Sequence, residues 1–115
     1  FVKIHDLIGC SPDGIVGDNG LVELKCPNSD THIGYIISDE IPKDYLYQML
    51  FQLFVTGREW CDFVSYDPRI YNPHNIFIKR VSIELYPNEY EKLINNLELF
   101  IGKLKSSLNV FGLNL

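Results

Sequence analysis

Apolar and polar positions along the chain change period several times, and each change marks an element. Residues 2–8 are rich in β-forming side chains and predict a first strand, closed by the turn Ser11-Pro12-Asp13-Gly14, where Pro12 fixes φ and Gly14 tolerates positive φ. Ile15 and Val16 continue extended, Asp18-Asn19-Gly20 is a hairpin turn, and residues 21–26 return as a second strand that Pro27 ends. A short helix near residues 31–37 and a loop closed by Pro42 follow. From Asp44, read as an N-cap, to Gly57, read as the stop, the spacing is helical with Leu46, Leu50 and Leu53 on one face. Residues 60–66 and 76–83 predict two more strands around a loop with two prolines, Pro68 and Pro73. A final helix over 88–108 carries Tyr90, Leu93, Ile94, Leu97, Phe100, Ile101 and Leu104 at intervals of three and four, the stripe of a helix laid on a sheet. The order β-β-α-β-β-α predicts an α+β or mixed α/β domain, a central mixed sheet flanked by helices.

Composition narrows the class. With 115 residues, 46% hydrophobic and 22% charged, the chain suits a single domain spanning 1–115, without repeat, low-complexity stretch or linker. The longest apolar runs fall far short of the roughly 18 residues that cross a bilayer, and no signal peptide opens the chain, so an intracellular protein away from membranes is expected. The odd set Cys10, Cys26 and Cys61 has no CxxC spacing, which suits buried thiols in a reducing compartment. Because the chain starts at Phe1 and its only methionine is Met49, it is expected to be part of a longer protein.

The candidate chemistry lies in the first half. Glu23 and Lys25 are two apart on a strand and leave the same face, while Leu24 points to the other, apolar side. The preceding hairpin brings Asp13 to that strand's end, so two carboxylates and an ammonium converge. Mg²⁺ takes hard oxygen ligands, typically one or two carboxylates with waters and substrate phosphate; Asp13, Glu23 and the Leu24 carbonyl meet that need, and Mn²⁺ accepts the same donors. Lys25 is placed to orient an attacking water or offset charge on a phosphate. Taken alone, a Glu-x-Lys pair is an ordinary solvated strand face and Asp13 an ordinary turn residue; the combination is what carries the reading.

The segments SPDG at 11–14 and LVELKCP at 21–27 resemble the nuclease motif of the lambda exonuclease (YqaJ-type) family, and the likeness continues through YLYQ at 45–48, VTG at 55–57 and WCDFVSYDPR at 60–69. That resemblance implies a restriction-endonuclease-like core, here lacking the family's N-terminal helices. It also implies a metal-dependent enzyme that degrades one strand of linear duplex DNA from its 5′ end as a ring-shaped trimer, working in phage recombination with a single-strand annealing protein. Residue by residue, Asp13 and Glu23 match the metal-binding carboxylates, Lys25 the catalytic lysine and Gln48 the motif glutamine.

Tyr45, Gln48 and Gln52 share one helix face by spacing, a polar stripe that can point at a site or simply meet solvent. Tyr45 joins Ser11 as a candidate DNA contact, although Ser11 equally serves as a turn cap. The family's second glutamine falls on Leu50 here, so Gln52 receives no role from it. Asp67 and Arg69 are expected to fix a loop as a local charge pair, and His5, His32 and His74 form no ligand pattern. A net charge of -5 sits uneasily with phosphate binding, but a cation held between carboxylates reverses the local sign. The alternative is a non-catalytic DNA-binding or assembly module that retained the fold; intact Asp13, Glu23 and Lys25 argue against it.

Overall fold

The computed structural model describes residues 2–5, 8–10, 12–110 and 112, with side chains from 12 to 109 and at 112. Strands β1 (Val2–His5) and β2 (Ile8–Cys10) pair antiparallel in a small sheet of their own, so the stretch 2–8 expected as one strand is instead divided between two paired strands. The main sheet holds β3 (Gly14–Val16), β4 (Gly20–Lys25), β5 (Trp60–Tyr66) and β6 (Ile76–Ser82) in the order β3-β4-β5-β6. Its β4–β5 pair is parallel and the other two are antiparallel. A parallel pair needs a crossover. Here α1 (Ser29–Ser38) and α2 (Lys43–Thr56) supply it, and α3 (Pro87–Val110) follows β6. Among the described residues the fold is α+β: a mixed four-stranded sheet with three helices, beside the small β1–β2 sheet.

Local chemistry sets the helix ends. Asn28 caps α1 by accepting the N–H of Thr31 at 3.0 Å. Pro42, not Asp44, is the N-cap of α2; Asp44 lies in the first turn, where its charge favours the helix dipole. Gly57 ends α2 at φ 70°, a left-handed conformation in which a side chain would be strained.

Leu46, Met49, Leu50 and Leu53 of α2 pack on Leu21, Cys61, Phe63, Phe77 and Val81 of the sheet, with Tyr35 of α1 meeting Phe63 edge-on at 5.4 Å between centroids. The opposite sheet face is open, exposing Leu24, Ile76 and Ile78 around an Asp62–Arg80 ion pair. Leu24 therefore does point away from Glu23, but its side is the solvent side, and Glu23 is the residue turned inward. The final helix also differs from expectation: α3 lies chiefly along α2 rather than on the sheet, through Ile101 beside Val55, Phe51 and Phe54. Its stripe is only half-buried, with Phe100 exposed.

Candidate active site

The site forms where β4 runs past the end of β3. Beyond Val22, β4 has no β3 partner, and the Asp13 side chain takes over the edge: its Oδ2 accepts the N–H of Leu24 at 3.0 Å. In a strand, the N–H and C=O of one residue face the same edge, so the Leu24 carbonyl leaves on the Asp13 side as well. One residue earlier, Glu23 turns its carboxylate under α2 and is only 3% exposed. Burial pushes this carboxyl above its ordinary value and the nearby Asp13 charge adds to the effect, while a hydrogen bond from Gln52 and the charge of Lys25 oppose it.

Lys25 leaves the same face of β4. Its Nζ is 3.8 Å from Glu23 Oε2, near enough for attraction but too long for a hydrogen bond, and 4.6 Å from the centroid of the Tyr45 ring. Tyr45 in turn stacks on Phe63 at 5.8 Å. The ammonium is thus seated on a ring that the core holds still, a contact that sequence spacing alone does not show.

The polar stripe of α2 faces this cluster, but its members differ. Tyr45 meets Lys25, Gln48 is exposed, and Gln52, one turn further on, is 2% exposed and donates from Nε2 to Glu23 Oε1 at 2.7 Å. Gln52 is the site residue that the sequence reading left without a role; its helical register with Gln48 was the available signal. Ser11 lies outside the described residues.

Asp13 and Glu23 present only oxygen, they are close enough to repel, and a cation relieves that repulsion. Among the described residues no three His, Cys, Asp or Glu side chains gather, but a hard divalent ion needs no more than two carboxylates. The residues present therefore fit such an ion.

Around the site, the Asp67–Arg69 pair forms as expected. Arg69 Nε donates to Asp67 Oδ1 at 2.8 Å, and its Nη2 donates to the Pro27 carbonyl at 2.9 Å, tying the loop after β5 to the end of β4. Ser29 and Arg69 hold the Asp67 carboxyl down to about 2. His32 is buried and bonds the residue that pairs with Lys25 across the sheet: its Nε2 donates to the His74 carbonyl at 2.7 Å, which leaves Nδ1 to accept from Ser65 Oγ at 2.7 Å. Cys61 is buried as expected, with its thiol pushed up to about 12, whereas Cys26 is exposed, contrary to expectation, because it follows the last residue of β4. The side chain of Cys10 lies outside the described residues.

An α+β fold with two carboxylates and a lysine gathered at the free edge of a parallel-paired strand defines the class to which this protein should be compared. The chain belongs to the YqaJ-like viral recombinase domain family, whose model matches residues 2–59. It is similar to an alkaline exonuclease, LHK-Exo, from Laribacter hongkongensis: 39% identity, TM-score 0.66, covering 96% of this chain and 61% of that one. A second structure, LHK-Exo in complex with dAMP, matches at 40% identity and TM-score 0.61 over 88% of this chain and 54% of that one. The chain thus spans somewhat over half of the length of these structures. No match was found among curated protein sequences.

Proposed function

We propose that this chain carries the catalytic centre of a metal-dependent deoxyribonuclease, a 5′-to-3′ exonuclease on linear duplex DNA that acts in recombination. The observation that carries the reading is the convergence of Asp13, Glu23 and Lys25 at the end of β4. The similarity to an alkaline exonuclease supports it.

Asp13, Glu23 and the Leu24 carbonyl would hold Mg²⁺, with Mn²⁺ as substitute. Such an ion, when bound, supplies a water of lowered pKa and Lewis acidity toward the phosphate. The side chains do the rest. Lys25, held by Tyr45 and Glu23, orients the attacking water and offsets charge growing on the phosphodiester. Attack in line forms the new P–O bond as the bond to the 3′ oxygen breaks, and that oxygen leaves with a proton. Gln48, exposed on the site face of α2, is free to approach the substrate; Ser11 and Tyr45 are the other proposed DNA contacts. By the same resemblance, the partners are double-stranded DNA ends, sister subunits in a trimer and a single-strand annealing protein, in the interior of a host cell. Among the described residues no helix is long and apolar enough to cross a membrane.

The test is to incubate the full-length protein in Mg²⁺ with linear duplexes labelled at either the 5′ or the 3′ end. Immediate release of the 5′ label as a mononucleotide, with delayed release of the 3′ label, is expected. Internal cuts would make it an endonuclease, and retained DNA without release would make it a binding module.

A further inference from the structure

Gln52 has a polarity that its surroundings do not explain. It sits among Met49, Leu50, Leu53 and Val55, all buried, on the inner side of α2. Its Oε1 is buried and, among the described residues, accepts no hydrogen bond. A buried amide with one unmatched end is a standing cost that a methionine of similar volume would remove. What the amide does provide is a single short bond across 29 residues of sequence, from Nε2 to Glu23 Oε1 at 2.7 Å. Among the described residues it is the one hydrogen bond that the Glu23 carboxylate receives from a helix, and Lys25 of β4 stands off at 3.8 Å.

We infer that Gln52 is a positioning residue for Glu23. By engaging Oε1 it fixes the carboxylate's rotation and leaves Oε2, the oxygen nearer Lys25, as the one turned to a cation. This inference rests on the reading of Asp13 and Glu23 as the metal-binding pair. Groups that hydrogen-bond a ligating carboxylate orient it, and their loss typically weakens metal binding roughly 10–100-fold. Gln52 differs in kind from Gln48, which is exposed and touches no carboxylate in the described contacts. It links the core face of α2 to the site, so the helix that packs the domain also sets the metal-binding geometry.

The experiment compares the full-length wild-type protein, Gln52→Met, Gln52→Asn and Asp13→Asn by calorimetric titration with Mn²⁺ in the absence of DNA, alongside metal-free thermal melting. Met keeps the volume and deletes both polar ends, while Asn keeps the amide but falls a methylene short of Glu23. Both are expected to weaken Mn²⁺ binding roughly 10–100-fold, with both variants still melting cooperatively without metal. At saturating Mn²⁺ the turnover number should return close to wild type while the activating Mn²⁺ concentration stays raised. If Asp13→Asn loses affinity while both Gln52 variants bind Mn²⁺ like wild type, the role of Gln52 is overturned and the metal site stands. If Asp13→Asn also binds like wild type, both readings fall.

Discussion

The backbone N–H of Leu24 donates to Asp13 Oδ2 at 3.0 Å, so a turn residue eleven positions earlier completes the edge of β4 that β3 leaves unpaired. One carboxylate is thereby anchored by backbone while the next, Glu23, is anchored by a helix. Asp13→Asn keeps an oxygen for that hydrogen bond but removes the charge. It should fold and bind Mg²⁺ at least about tenfold more weakly, because ligand charge tunes the affinity of such sites. Lys25→Ala should bind Mg²⁺ close to normally yet lose roughly 100–1000-fold in turnover, the usual cost of deleting a group that stabilises developing charge. Calorimetry on both variants checks the division, and equal affinities would contradict it.

The two faces of α2 should separate in stability. Leu50 is fully buried, and Leu50→Ala is expected to cost about 2–5 kcal/mol as a core cavity. Gln48 is exposed, so Gln48→Ala should change stability by no more than about 0.5 kcal/mol while slowing DNA cleavage. Chemical denaturation of the two variants gives both values, and a larger loss for Gln48→Ala would mean that the helix is turned otherwise.

Asp67 gives the protein a particular acid sensitivity. Its folded carboxyl is held down to about 2, below the ordinary 3.8, so the stability it contributes is present above about pH 4 and is lost as pH falls through about 2. Asp67→Asn should be less stable at neutral pH and show a flatter fall in stability between those two values. Parallel curves for wild type and variant across that window would show that Ser29 and Arg69 do not hold the charge.

Much of this was legible from local pattern. The hairpin around residues 17–19, the strands at 60–66 and near 76–83, and the placing of Glu23 and Lys25 on one strand face all follow from a period of two and from turn chemistry. What local pattern does not carry is what an element meets. The parallel pairing of Leu21 with Cys61 is made across two helices, and nothing in either strand's sequence names its partner. The same holds for α3, whose stripe predicted an apolar neighbour but could not distinguish the sheet from α2. Gln52 was hidden for a related reason: a polar residue in register with Gln48 reads as surface unless the carboxylate beneath it is known. Cys26 illustrates the reverse, since the general tendency of free thiols to be buried fails at a strand end.

Whether Asp13, Glu23 and Lys25 form a metal-dependent nuclease centre is decided by exchanging the ion. The measurement is mononucleotide release from a linear duplex by the full-length protein in Mg²⁺, Mn²⁺ or Ca²⁺, with DNA retention followed by gel shift. An all-oxygen site with two carboxylates should work with Mg²⁺ and with Mn²⁺, which shares its octahedral preference. Ca²⁺ prefers roughly six to eight ligands at about 2.3–2.6 Å, so DNA should be retained without cleavage, and cleavage should resume on adding Mn²⁺. Full turnover in Ca²⁺ alone, or release undiminished by a chelator, would contradict the account and return Glu23 and Lys25 to a structural ion pair on β4.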